Sequence, residues 1–352
     1  MKKLLISISA GALLVAGCGE GAGGGGGSGS GARNQIRIVG SSTVYPFAKA
    51  VAEQFVRNNA GFGAPILEST GTGAGMKLFC AGVGTNHPDI ENASRRIKKS
   101  EFDDCQKNGV KQVIEVPIGI DGLALIEKAG PGQFSLTQED IYKALAANPH
   151  GKGPNTAKTW KDVNPALPAI AIRVYGPPPT SGTRDAFAEL IMEKGCDKDA
   201  ATKALKDKDK DRHKEICTKV REDGAFIEAA ENDNLLVQKV AGNPGSIGIL
   251  GYSFLEENKA AVRGIPLGGV VPTAETIASF EYPGARPLFL YVKGEHLQAI
   301  RGLREFIAEF SKGWGPGGYL TRHGLIPSPA AQLASQNKAA TELKPLDGSN
   351  LK

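Results

Sequence analysis

The chain has 352 residues, with 42 Lys and Arg against 37 Asp and Glu, and its formal charge of +5 falls by two when Lys2 and Lys3 are assigned to a leader. That balance is too mild for a nucleic-acid binder, and no stretch interleaves basic with aromatic residues as such binders do. The roughly 320 residues beyond the leader and its tether exceed one compact core and predict two lobes.

Lys2 and Lys3 precede an apolar run from Leu4 to Val15 that is too short to span a bilayer, and Val15-Ala-Gly-Cys18 matches a bacterial lipobox. A signal peptide over 1–17, cleavage before Cys18 and lipidation of Cys18 are expected. Gly19 to Ala32 is almost only Gly, Ser and Ala, so 18–34 reads as a flexible tether. The expected location is the cell envelope, facing the periplasm, with the membrane leaflet open. No later apolar run is long enough for a spanning helix.

Gln35 to Val39 reads as a short strand, and Val44, Phe47, Ala48, Val51, Ala52, Phe55 and Val56 follow helical spacing. Pro65 to Ser69 predicts a strand, and Met76 to Cys80 opens another helix. Lys111 to Val116 and Ile120 to Glu127 are two strand candidates. Thr137-Gln-Glu-Asp140 is a cap signature before Ile141, Ala144 and Leu145. Ala169 to Tyr175 predicts a strand, with a helix at Thr183. Lys198 to Asp223 carries nine Lys/Arg and seven Asp/Glu, the mixed pattern of a solvated helical face. Ser246 to Tyr252 and Leu288 to Val292 are apolar strands, and Ile300, Leu303, Ile307 and Phe310 mark a late amphipathic helix. The tail after Pro329 reads as helical or frayed. The class is α/β with largely parallel pairing.

Beyond Cys18 the cysteines are Cys80, Cys105, Cys196 and Cys217. Export favours disulfides, and four cysteines allow three connectivities. The sequential one, Cys80–Cys105 with Cys196–Cys217, closes short local loops and is the expected one. A zinc site lacks C-x-x-C spacing and histidine partners, and no metal is expected.

Three strand-to-helix junctions are rich in hydroxyls and glycine: Gly40-Ser-Ser-Thr-Val-Tyr-Pro46, Ser69-Thr-Gly-Thr-Gly-Ala-Gly-Met-Lys77 and Thr180-Ser-Gly-Thr-Arg184. Ser42 and Thr43 are also suited to cap the helix that follows them. The second junction lacks the Gly-Lys-Ser/Thr end of a Walker loop and the spacing of a dinucleotide fingerprint. A helix N-terminus carries unpaired N–H groups and a partial positive charge. Three such ends facing one cleft would surround an oxyanion with neutral donors, with Arg184 as the charged contact.

The junctions, together with Asp-Ile-Glu-Asn-Ala-Ser-Arg-Arg-Ile (89–97) and Thr-Trp-Lys-Asp-Val-Asn-Pro-Ala-Leu-Pro (159–168), resemble in order and spacing the phosphate-binding protein of bacterial phosphate ABC transporters. The resemblance implies a two-lobed, type II periplasmic-binding-protein fold with two crossing hinge strands and a ligand cleft between the lobes. Lobe 1 would hold 35–120 and 256–352, and lobe 2 would hold 121–255. Carried over, Ser42, Thr43 and the backbone of Val44 would meet phosphate from the first lobe, with Thr72, Ser94 and Arg95 on its other loops. Ser181, Gly182 and Thr183 would close from the second lobe beside Arg184. Inorganic phosphate and ABC permease subunits are the implied partners, with membrane contact through the lipid anchor alone. A monomer without cofactor or enzymatic activity is expected.

Two positions depart from the family pattern. Ser94 stands where some members carry an aspartate that accepts the ligand's proton. Pro177, Pro178 and Pro179 stand where some carry an arginine. Arg95 and Arg184 are the expected replacements for the arginine. Asp121, in Gly119-Ile-Asp-Gly122, is the expected replacement for the carboxylate, its alternative being a structural aspartate at a turn. A phosphatase-like enzyme would need a nucleophile with its base or a metal cluster, and His87, His150, His213, His296 and His323 lie outside these motifs. A phosphate sensor or storage lipoprotein without a permease is the other alternative.

Overall fold

Residues Arg37–Gly40 form β1, with parallel partners on both sides in β2 (Ile66–Ser69) and β3 (Ile90–Ala93). The structure, a computed structural model, describes residues 33–179, 181–229 and 233–351. The expected leader, the lipobox with Cys18, nearly all of the tether, and Thr180 lie outside the described residues.

Between these strands run α1 (Tyr45–Asn58) and α2 (Thr72–Phe79). Helix α1 buries Phe47, Ala48, Val51 and Phe55, as its apolar spacing predicts. After α3 (Lys99–Lys107) comes β4 (Val113–Lys128), one strand where the sequence predicts two. Pro117 and Gly119 read as a break, but a register shift between them absorbs the irregularity and pairing continues.

Helix α4 (Gln138–Leu145) starts at the predicted capping box of Thr137 and Asp140. Then come α5 (Trp160–Val163) and β5 (Val174–Gly176), which is shorter than predicted. Helix α6 (Gly182–Phe187) runs through a wider turn at Ala188–Met192 into α7 (Glu193–Cys196). The mixed-charge segment forms α8 (Ala200–Lys208) and α9 (Lys210–Thr218), which bury little beyond Thr202, His213, Ile216 and Cys217. The chain continues through β6 (Phe226–Glu228), α10 (Asp233–Gly242), β7 (Ile247–Gly251), α11 (Tyr252–Glu257), β8 (Val262–Gly264) and α12 (Ala274–Ala278). It ends with β9 (Ala285–Lys293), α13 (Leu303–Gly313) and α14 (Ala330–Glu342), so the tail is helical.

Strand order is β2-β1-β3-β9-β4-β7-β5-β6, with β8 added to β4. Four pairings are parallel and four antiparallel, so the largely parallel expectation is corrected. The antiparallel pairs all involve β4 or β9. These two strands pair from Val113 opposite Lys293 to Gly122 opposite Ala285 and are the crossing strands between two lobes.

One apolar core surrounds the C-terminal half of β4 with Ile141, Phe187 and Ile249. The other lobe's core has two parts, one around Ile38, Val51 and Phe306, the other around Met76, Phe102 and Tyr291. Val262, Ile265, Leu267, Ile277 and Tyr282 belong to the core that contains Leu125, so the chain after 256 stays with that core until β9. Cys80 is joined to Cys105 and Cys196 to Cys217, the sequential pairing. Among the described residues no helix is long and apolar enough to cross a membrane.

Candidate functional site

The ends of β1, β2 and β3 are tied into one corner. Gly40 has φ +127°, and a Cβ there would lie 2.2 Å from the Asn92 carbonyl oxygen, so only glycine fits. The Gly40 carbonyl accepts the N–H groups of Thr70 at 2.9 Å and Gly71 at 2.8 Å, and Ser41 N–H donates to the Asn92 carbonyl at 2.8 Å. Helix α2 begins directly after Gly71, four residues before the predicted Met76. Gly71 precedes the helix with φ +77°, whereas Gly73 and Gly75 lie inside it, and Gly75 rests on Gly40, where a Cβ would come within 2.6 Å of the Gly40 Cα. The Thr72 and Ser94 hydroxyls meet at 3.0 Å, and Ser94 N–H donates to Thr72 Oγ1 at 3.1 Å. Both side chains are buried.

The second lobe meets this corner through the start of α6. Ser181 caps that helix, its hydroxyl accepting the Thr183 N–H at 3.2 Å. Gly182 packs against the backbone of Ser42 and Thr43, and a Cβ there would lie 2.7 Å from the Thr43 Cα. Thr43 Oγ1 donates to the Gly182 carbonyl at 3.2 Å, and Ser42 Oγ donates to the Asp185 carboxylate. Ser42 and Thr43 therefore do not cap α1. The cap residue is Val44, which is buried, and no side chain caps the helix.

Arg286, which belongs to none of the sequence motifs, lies beside these groups at the start of β9. Its side chain is 5% exposed and bonded on three sides. Nε donates to Asp121 Oδ2 at 3.0 Å, Nη2 to Thr43 Oγ1 at 2.6 Å and Nη1 to Glu189 Oε2 at 2.5 Å. A buried guanidinium needs such partners, since an unpaired charge in low dielectric is costly. Asp121 thus lies beside the corner, ion-paired across the hinge strands. The sequence signal was a single arginine just before the apolar run of β9.

The two expected arginines are engaged by other partners. Arg95 grips Glu101 with Nη1 and Nη2 at 2.9 and 2.7 Å. Arg184 donates to the Pro177 carbonyl at 3.0 Å and lies 4.5 Å from the centre of the Phe226 ring, with Glu228 at 3.7 Å. Ser42, Thr43, Val44, Asp121, Ser181, Gly182 and Thr183 share one locus with Arg286. Thr72 and Ser94 line the adjoining corner.

Glu91 lies beneath the corner. It is fully buried, neither carboxyl oxygen has a hydrogen-bond partner, and Oε1 would lie 3.0 Å from a Cβ on Gly75. Burial pushes its pKa well above the usual carboxylate range, a shift that Arg95 opposes. Three of the five histidines bond away from the corner: His213 to Asp197 at 2.8 Å, His296 to Asp89 at 2.7 Å and His150 to Thr202 at 3.2 Å. Among the described residues one group, Asp197, His213 and Cys217, is close enough to share a metal ion, but the Cys217 sulfur is in a disulfide.

A family model described as a PBP superfamily domain matches residues 26–312. Protein SphX of Synechococcus elongatus is 33% identical over 298 residues, covering 83% of this chain and 77% of the relative. The phosphate-binding protein PstS of Staphylococcus saprophyticus is 31% identical over 302 residues, covering 84% and 81%. The crystal structure of a possible phosphate binding protein from Planctomyces limnophilus superposes with a TM-score of 0.70 at 27% identity, covering 88% of this chain and 98% of that one. An ABC-type phosphate transport receptor from Vibrio cholerae shares the fold, with a TM-score of 0.56 at 20% identity over 83% and 99%.

Proposed function

As this chain belongs to the phosphate-binding proteins of the PBP superfamily, we propose that it captures inorganic phosphate between its lobes and delivers it to an ABC permease. The observation that carries this reading is the meeting of Thr43 with Gly182 and Arg286, which puts a hydroxyl, a helix start and a buried guanidinium at one point. Ser42 and Thr43 turn their hydroxyls from Asp185 and the Gly182 carbonyl to phosphate, which also takes hydrogen bonds from the Ser181 and Thr183 hydroxyls and the Val44 backbone. Thr72 and Ser94 complete the first-lobe wall. Arg286 supplies the charged contact, and a planar guanidinium suits a tetrahedral oxyanion. Arg95 and Arg184 add positive potential while their own ion pairs fix the loops on which they sit.

Lobe 2 comprises the second half of β4 through Tyr282, and the chain returns to lobe 1 along β9. Closing the lobes on the anion is driven by the ligand's higher affinity for the closed form. Micromolar capture corresponds to about −8 kcal/mol. The protein binds without turnover, and lipid on Cys18 holds it at the envelope.

Asp121 accepts the proton that phosphate retains near neutral pH. A fully deprotonated anion such as sulfate brings no proton to share with that carboxylate and is repelled by it, which gives discrimination. Calorimetric titration with phosphate and sulfate tests the reading. Phosphate should bind one to one and sulfate far more weakly, and Asp121→Asn should erode the preference. No phosphate heat, or equal affinity for the two anions, would overturn it.

A further inference from the structure

Two carboxylates on the turn from α6 into Ala188–Met192 reach outward from the second lobe, one to the first-lobe junction and one to the crossing strand β9. Asp185 accepts from Ser42 Oγ, and Glu189, four residues on, accepts from Arg286 Nη1. The three partners of Arg286 are unequal. Asp121 and Thr43 are largely buried, whereas the Glu189 side chain is 50% exposed against 5% for Arg286. Asp121 and Thr43 therefore hold the guanidinium in place, while Glu189 is free to turn towards solvent.

Nη1 and Nη2 form the fork with which an arginine grips an oxyanion. Here Nη2 holds Thr43 Oγ1 and Nη1 holds Glu189. An oxyanion at Thr43 and Arg286 must share or take the Nη1 position. Two carboxylates, Asp121 and Glu189, already face this single guanidinium, and Arg95 is the further charge in electrostatic reach of Glu189.

We propose that Glu189 is a built-in competitor for the anion site, one that phosphate displaces from Arg286 on binding. This rests on the phosphate-capture reading and adds a residue that sets affinity. Binding is weakened by the fraction of molecules in which Glu189 holds Nη1, as for any site whose competent form is partly populated. The device limits tightness and eases release, because the returning carboxylate restores the charge balance of Arg286.

The test is calorimetric titration of the whole protein with inorganic phosphate, and then with sulfate, for the wild type and Glu189→Gln. Glutamine keeps the size and removes the charge, and a half-exposed position tolerates it. The variant should bind phosphate about fivefold tighter, the scale of a solvent-accessible ion pair, with its phosphate-over-sulfate ratio unchanged. Unchanged or weaker phosphate binding by the variant overturns the proposal and leaves phosphate capture standing. Weaker binding together with a lost preference over sulfate would make Glu189 a proton acceptor instead. If neither protein binds phosphate, the capture reading itself fails, and the competitor role with it.

Discussion

Arg286 Nη2 donates to Thr43 Oγ1 at 2.6 Å across 243 positions of sequence. The contact joins the start of the second crossing strand to the first strand-to-helix junction. Any anion held by Thr43 therefore meets a guanidinium that is already oriented.

Arg286→Lys keeps the charge but not the fork, and an ammonium on a shorter reach cannot serve Asp121 and Thr43 together. Phosphate affinity should fall by about 2 kcal/mol, roughly 30-fold, in calorimetric titration. Affinity within twofold of wild type would remove Arg286 from the site.

Gly182→Ala places a methyl 2.7 Å from the Thr43 Cα and 2.9 Å from the Ser42 carbonyl oxygen. Both neighbours are backbone, so the second lobe has to move back. Overpacking of this kind costs about 1–3 kcal/mol, here charged to the closed form. The expected outcome is a larger radius of gyration by small-angle scattering in saturating phosphate, with weakened binding. An unchanged radius and affinity would contradict the packing of Gly182 on Thr43.

Glu91 gives a pH signature. Its carboxyl is raised by burial in the folded protein, so the folded state keeps a proton that the unfolded chain loses above about pH 4.3. Stability from this group is complete below that pH and declines as pH rises towards the folded-state value, by up to about 1.4 kcal/mol per unit. Glu91→Gln removes the decline. Urea titrations at several pH values should show the variant gaining on wild type from about pH 4.5 upward. A stability difference that does not vary with pH would mean that Glu91 ionises freely when folded.

The Cys196–Cys217 bond closes a loop with a sequence separation of 21, anchoring α7 to α9. Replacing both cysteines by alanine should lower unfolding free energy by about 3 kcal/mol through the added freedom of the unfolded chain. An unchanged denaturant midpoint would contradict this.

The parts legible in the sequence are those that local chemistry decides. The apolar spacing of α1, the Thr137 capping box and the hydroxyl-glycine junctions each carry their signal within a few residues. The sequential disulfides follow from short loops. What was missed depends on distant partners. Arg286 acquires its meaning from Thr43, Asp121 and Glu189, and none is near it in the chain. Glu91 and Asn92 make β3 too polar to read as a strand, yet the strand is wholly buried between β1 and β9. Arg184 adjoins the hydroxyl motif, but its direction is set by Phe226, 42 residues later. Pro117 and Gly119 imitate a strand end, and only the register with β9 reveals a bulge in one long strand.

Both lobes and the crossing strands are proposed to hold one anion at one point. Crystals grown with arsenate, which mimics phosphate and scatters anomalously, test it most directly. A single arsenic peak is expected within about 3–4 Å of Thr43 Oγ1, the Ser181–Thr183 turn and the Arg286 guanidinium. A peak elsewhere, or none at saturating arsenate, would contradict it.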